Sequence, residues 1–327
     1  MVGITDPASL SVSVCIPTYK RPVLVRRAIA SVFAQTYKDW ELLISDDEDP
    51  PGETWDYLKQ LPERDSRVRV MRNLGPHGEV PNINSTFRQA RGTWIKPLHS
   101  DDVLRPECLE TLLLSTRGLP SVVMVSSLVQ RYFSGRRVRS WRRRGKAPAE
   151  LIRQRHIHLG MYLQDCNVGL PSQVMVHRRA IEQGALFEDV PGMFTGLDAV
   201  WNCAVLRHGD LLFVNKVLAE HHQGHQTITG DLRAGQLEAG YPIILNRELE
   251  CIDPSLKPPP LPVVLQMVKC LRAFSCLNLG EIGESLHLIR QAWRPSAWLL
   301  TTRWVLCQIF PGRFHVVPRI PVTRIAG

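Results

Sequence analysis

Residues 98–104 read LHSDDVL, and they close a short apolar run, Thr93-Trp94-Ile95-Lys96-Pro97-Leu98, with two adjacent carboxylates. Serine and aspartate at such a point can cap a turn or a helix, because their oxygens accept hydrogen bonds from free backbone amides. Paired carboxylates leaving a buried strand can also hold a metal ion against a diphosphate. Two earlier runs end in the same way. Val12–Ile16 stops at Pro17-Thr18-Tyr19, and Trp40–Ile44 stops at Ser45-Asp46-Asp47. Helical patterns separate the runs: Pro22 opens one in which Leu24, Ala28, Ile29, Val32 and Phe33 share a face, and another spans about 80–90. A weaker strand covers Val68 to Met71, and Pro106 opens a helix through Leu114. Strands alternating with helices of this size predict an α/β chain with a parallel, doubly wound sheet. Ligands bind such a sheet beyond the carboxyl ends of its strands. Three polar clusters gathered on one edge carry far more weight for a ligand site than any one of them alone.

The bulk properties agree with a folded enzyme-sized domain. The chain has 327 residues, 44% of them hydrophobic, and a net charge of +9. That length holds one large domain, or one domain with an appendage. The basic balance suits anionic partners in general and does not choose among nucleotides, phospholipid, phosphorylated carriers and nucleic acid. None of the eight cysteines forms a CxxC pair, which reads as reduced, buried thiols of a cytosolic protein rather than a disulfide framework or zinc site. MVGITDPASL has neither the charge nor the apolar core of a signal peptide, and no uncharged apolar run reaches bilayer length.

Longer stretches now carry a family likeness. SVCIPTYKRPVLVRRAIASVFAQTYKDWELLISDD (13–47), the stretch from Asn73 to Glu110, NVGLPSQVMVHRRAI (167–181) and GLDAVWNCAVLRHGD (196–210) resemble, in that order, a family 2 glycosyltransferase. The likeness covers about residues 10–230. It implies an inverting enzyme with the GT-A fold: a mixed, mainly parallel, Rossmann-like sheet with helices on both faces. The implied organisation is a transferase domain over 1–256, with a nucleotide-binding half at 10–115 and an acceptor-side half at 116–230. A Pro-rich linker, KPPPLP at 257–262, then opens a helical tail over 257–327.

The resemblance also implies site roles. Asp102 would be the direct ligand of Mn²⁺ or Mg²⁺, and Asp101 would touch the ribose or the waters of the metal. Asp47 would accept a hydrogen bond from the base, with Pro17, Thr18 and Tyr19 at the lip of that pocket. Asn73, Gly75 and Asn84 match the family's nucleotide-side segment. Asp198 matches the base that takes the acceptor's hydroxyl proton, and a first-turn Asp is also a helix-stabilising residue. In AEHHQGHQTIT (219–229), His222 and His225 compete for a place near the diphosphate or metal, and His225 is preferred. The pattern departs from the family in three places. Glu48 and Asp49 stand where small residues commonly follow the paired aspartates, Leu197 stands where many relatives are acidic, and Ile83 replaces an arginine. Neutralisation of phosphate would then rest more on the metal, or on Arg88 or Arg91, although a surface salt bridge is the better single assignment for those arginines.

The expected reaction is transfer from a nucleoside-diphosphate sugar, a UDP-sugar by preference, to a hydroxyl of a glycan, a lipid-linked acceptor or another glycoconjugate. The expected setting is the cytoplasm, at the cytoplasmic face of a membrane. Arg131 to Lys146 carry eight cations and Trp141, a composition that fits anionic lipid, a lipid-diphosphate acceptor or a solvated loop, with nucleic acid disfavoured. The tail segments LPVVLQMVKCLRAF and PSAWLLTTRWVLCQIF are apolar at helical spacing and suit either a membrane interface or packing on the domain. Two rivals stand beside this reading. A sugar-nucleotide nucleotidyltransferase would want a glycine-rich loop after the first strand, and PTYKRP has no glycine. A basic membrane- or nucleic-acid-binding protein on a decayed transferase fold would bind with steep salt dependence and transfer nothing.

Overall fold

The computed structural model describes residues 11–138, 147–166, 168–193, 195–223, 240–278, 282–309 and 317–322. The alternation seen in the first hundred residues appears as β1 (Val12–Thr18), α1 (Pro22–Phe33), β2 (Trp40–Asp46), α2 (Glu53–Leu58), α3 (Leu61–Arg64), β3 (Val68–Arg72), α4 (Glu79–Gln89) and β4 (Trp94–Pro97). There follow β5 (Val103–Leu104), α5 (Cys108–Ser115), β6 (Val122–Phe133), β7 (Arg136–Val138), β8 (Ala149–Ile152), α6 (Gln154–Tyr162), β9 (Val174–His177), α7 (Arg178–Glu182), α8 (Leu197–Leu206) and β10 (Asp210–Gln223). Helices Tyr241–Cys251, Leu261–Asn278, Ile282–Gln291 and Pro295–Ile309 come next, and β11 (Ile320–Val322) closes the described chain.

All eleven strands of the described residues belong to one mixed sheet, ordered β11-β8-β10-β6-β9-β4-β1-β2-β3, with β5 on β10 and β7 on β6. The N-terminal half, β4-β1-β2-β3, is parallel throughout. The other half is mixed: β9 lies antiparallel between β4 and β6, while β6 and β10 run parallel. Side chains on successive strand positions point to opposite faces, so the buried strands fill two cores. Val12, Val14, Ile16, Leu42 and Ile44 face α1 and α5, against Val25, Ile29, Val32 and Leu112. Cys15, Leu43 and Ile95 face the other way, against Ile83 and Phe87 of α4 and Trp201 of α8. Helices therefore cover both faces, as the resemblance implied.

The face holding Trp201 also decides where α8 begins. Trp201 stacks on Phe187 with ring centroids 4.7 Å apart and lies 5.5 Å from Phe87. Its Nε1 donates to the Ala185 carbonyl at 3.0 Å. Gly196, at φ +87°, turns the chain into the helix, a backbone region where a side chain would be strained. The first turn of α8, with Asp198, is thereby fixed relative to α4 and the sheet.

Candidate active site

The carboxyl ends of β1, β2 and β3 are tied together by their own backbone. Asp47 N donates to Thr18 O at 3.0 Å, and Asn73 N donates to Asp46 O at 2.8 Å. Asn82, on the first turns of α4, donates Nδ2 to the carbonyls of both Thr18 and Ser45 at 3.2 Å. Around this knot the loop 73–78 wraps the Asp47 carboxylate. Asn73 Nδ2 donates to its Oδ1 at 2.6 Å, His77 Nδ1 lies 3.2 Å from the same oxygen, and Gly78 N donates to Oδ2 at 2.8 Å. Gly75 N donates back to Asn73 Oδ1 at 3.2 Å. The loop bends so tightly because Gly78 sits at φ +124°, which residues with a Cβ rarely adopt. Thr18 is buried, and Tyr19 stands at the rim, 52% exposed, with Lys20 Nζ 5.1 Å from its ring centroid.

The second cluster lies beyond β4. Lys96, fully buried in that strand, donates Nζ to the carbonyls of Pro97, Ser172 and Val174 at 3.2, 2.6 and 3.0 Å. Burial pushes its ammonium down to about 8, partly opposed by Asp102. Ser172 Oγ in turn accepts from His99 N at 3.0 Å. The turn that follows places His99, Asp101 and Asp102 with one donor atom each, all within 4.8 Å of one another. Asp101 Oδ2 accepts from Arg21 at 2.9 Å, a bond that joins the loop before α1 to this turn. Asp102 is wholly buried. Its Oδ1 accepts from His221 Nδ1 at 3.0 Å and from the His222 backbone N–H at 3.1 Å, both at the end of β10. Burial alone would raise its pKa, but the His221 hydrogen bond and charge, with His99, hold the carboxyl below the usual range. Its Oδ2 has no hydrogen-bond partner among the described residues. A buried carboxylate oxygen left bare in this way is costly unless something positive meets it. His99, Asp101 and Asp102 are thus a donor set that fits a divalent cation.

Asp198 occupies the first turn of α8, and its Oδ1 accepts from Ala199 N at 3.0 Å. Burial raises its pKa; the Ala199 hydrogen bond and the charge of His99 oppose the rise, and Glu79 adds to it. His99 therefore bears electrostatically on both Asp102 and Asp198.

The structure gathers Pro17, Thr18, Tyr19, Asp47, Asn73, Gly75, Asp101 and Asp102 at one edge of the sheet, and Asp198 feels the charge of His99. Asn84 stands apart. Both ends of its buried amide are committed to the Phe187 backbone, at 2.9 and 3.0 Å. Arg91 and Arg88 lie toward the far end of α4, where Arg91 N donates to Glu41 near the start of β2. His225 lies outside the described residues. His222 stacks on Tyr132 with centroids 4.7 Å apart and reaches Arg27 at 3.1 Å. The histidine whose ring meets Asp102 is His221. Sequence reasoning missed it, along with His99, Asn82 and Arg21; only the pairing of β10 with β6 and β5 carries His221 to the SDD turn.

A family model, Glycosyl transferase family 2, matches residues 13–184, over half of the chain. A GalNAc(5)-diNAcBac-PP-undecaprenol beta-1,3-glucosyltransferase of Campylobacter jejuni is 35% identical over 105 residues, 31% of this chain and 33% of that protein. UDP-Glc:alpha-D-GlcNAc-diphosphoundecaprenol beta-1,3-glucosyltransferase WfgD of Escherichia coli is 34% identical over 92 residues, 28% of this chain and 35% of that one. The chain thus spans about a third of the length of these relatives. Among solved structures, S. aureus TarS 1-349 in complex with UDP-GlcNAc superposes with a TM-score of 0.61 at 15% identity, covering 90% of this chain and 84% of that one. At that identity the likeness shows the fold, a GT-A-like mixed sheet.

Proposed function

We propose, for a chain that belongs to glycosyl transferase family 2, an inverting, metal-assisted transfer of a sugar from a nucleoside-diphosphate sugar, a UDP-sugar first, to a hydroxyl of a glycan or lipid-linked acceptor. The observation that carries this reading is the bare, buried Oδ2 of Asp102 beside His99 and Asp101, on the same sheet edge as the Asp47 cradle. Asp47, with Asn73 and Gly75 shaping its loop, would accept a hydrogen bond from the base, and Tyr19 would cover the ring. Asp101 and Asp102, joined by His99, would hold the cation. When bound, the cation offsets the charge that grows on the departing diphosphate. An imidazole among the donors weights the set toward Mn²⁺ over Mg²⁺, which prefers oxygen alone.

The acceptor oxygen would attack the anomeric carbon as the bond to the diphosphate oxygen breaks, and its proton would pass to Asp198. A carboxyl whose pKa is raised holds that proton more tightly, which suits a general base. Asn84 would serve indirectly, by fixing Phe187 under Trp201 and hence α8. The reading puts the protein at the cytoplasmic face of a membrane; relatives whose names carry undecaprenol-linked substrates support the lipid-linked acceptor. Among the described residues no helix is long and apolar enough to cross a membrane.

The test is calorimetric binding of UDP with Mn²⁺ alongside transfer from radiolabelled UDP-sugars. Asp102→Ala should abolish Mn²⁺-dependent UDP binding and transfer. Asp198→Asn should bind UDP as the wild type does and lose transfer by about 100-fold or more. Normal turnover by Asp198→Asn would remove the base from this scheme, and wild-type protein that binds no nucleoside diphosphate with either metal would overturn the reading.

A further inference from the structure

Three helices on the Trp201 face of the sheet, α6, α8 and Tyr241–Cys251, present soft donor atoms to one another in a cluster separate from that of the SDD turn. His158 comes from α6, Cys203 from α8 and Cys251 from the end of the third helix. One donor atom of each lies within 4.8 Å of the others. Cys203 Sγ is 3.8 Å from Cys251 Sγ and 3.9 Å from His158 Nδ1. Glu248, one turn before Cys251, places Oε2 at 2.8 Å from His158 Nδ1. His158, Cys203 and Glu248 are 3%, 2% and 1% exposed.

Two features set this cluster apart from ordinary core packing. The Glu248 Oε1 atom is buried and has no hydrogen-bond partner among the described residues, which a core carboxylate seldom tolerates. The spacing of the sulfurs is also telling. Two thiolates about 2.3 Å from a tetrahedral zinc stand about 3.8 Å apart, and the pair here is separated by that distance. We infer that His158, Cys203 and Cys251 form a structural zinc site that clips α6, α8 and the Tyr241–Cys251 helix together, with Glu248 turning in on binding as the fourth ligand.

Charge supports the assignment. Two thiolates and a carboxylate bring three negative charges, the ion brings two positive ones, and Arg207, whose Nε is 2.9 Å from Cys251 Sγ, supplies the last. The buried site is then neutral as a whole. On binding, the two thiol protons leave for solvent, the proton between His158 Nδ1 and Glu248 is given up so that a neutral imidazole turns that nitrogen to the ion, and the Glu248 carboxylate moves in to complete the fourth position. Four protein ligands leave no open position, so the role is structural. Sulfur donors separate this site from His99, Asp101 and Asp102, whose oxygen and nitrogen atoms suit harder cations. The inference does not depend on the proposed transfer reaction. Residues 158, 203 and 251 carry no zinc-finger spacing, so only the fold brings them together.

The experiment uses the full chain without a histidine tag, purified under reducing conditions from zinc-supplemented culture. Elemental analysis should find about one zinc per chain beyond any ion lost in Asp102→Ala. Replacing zinc by Co²⁺ should give a near-ultraviolet thiolate-to-cobalt charge-transfer band, which the SDD cluster cannot give because it has no sulfur. Cys203→Ser/Cys251→Ser should lose the zinc and the band, while Asp102→Ala keeps both. The first two readouts use wild-type protein and do not rely on the double variant folding. Wild-type protein with less than about a tenth of a zinc per chain and no cobalt–thiolate band would overturn the site.

Discussion

Asp46 shows what a single buried carboxylate costs the fold. Its side chain is wholly buried beside Asp47, its Oδ2 has no partner among the described residues, and its Oδ1 meets only the Glu48 amide at 3.4 Å. Burial pushes its pKa up to about 6, with Glu48 and Asp47 adding to the rise. The sign follows from proton binding. Between the unfolded value near 3.8 and the folded value of about 6, the native state holds the proton that the unfolded state has lost. Stability therefore falls as pH rises through that window and stays low above it. The full shift corresponds to about 3 kcal/mol as an upper bound. Asp46→Asn keeps the shape without the charge and should stabilise the protein by ~1–2 kcal/mol at about pH 7.5, with the gain vanishing near pH 4. Thermal melts of both proteins across that range check this; an equal gain at both ends would show that charge is not the cause.

At the scale of elements, the end of β10 sets the state of Asp102. The sequence pattern predicts a strand only over Leu211–Val214, whereas β10 runs on to Gln223, because its later residues pair with β6 on one side and β5 on the other. Glu220, His221 and His222 break the apolar pattern that marks a buried strand, so the extension, and with it His221, was not legible. The parallel strands of the first hundred residues were legible: β1 and β2 are apolar runs closed by Pro17 and Ser45-Asp46, β4 runs into the SDD turn, and β3 shows the weaker Val68–Met71 pattern. The antiparallel β9 between β4 and β6 was not, because pairing partners so distant in sequence leave no local periodicity. His221→Ala should let the Asp102 pKa climb and free its Oδ1 to reorient. We expect Mn²⁺-dependent UDP binding to weaken by about 10- to 100-fold, as when a partner that orients a metal ligand is removed. Calorimetry would show it, and unchanged affinity would mean that the His222 amide alone orients the carboxylate.

For the whole molecule, the question is whether the tail is an appendage or part of the domain. Its composition alone allows either, because an amphipathic helix looks the same whether it meets lipid or a protein core. In the structure Val264, Met267 and Val268 join the core cluster that contains Trp201 and Leu245. Tyr162 of α6 donates its hydroxyl to Pro259 O at 2.9 Å, and Trp304 Nε1 donates to Gln164 O at 2.8 Å. β11 then adds to the sheet edge against β8. The tail thus bonds to α6 and the residue just beyond it, the helix that carries His158, and shares one core cluster with α8, which carries Asp198. Exposing three such buried apolar side chains would cost about 5 kcal/mol, a large share of a typical domain's stability. A chain ending at Leu256 should therefore be insoluble, or melt at least about 10 °C below the full chain, and it should lose UDP binding with its fold. Melting within about 2 °C of the full chain, with binding intact, would separate the tail from the domain and return it to the role of an independent surface element.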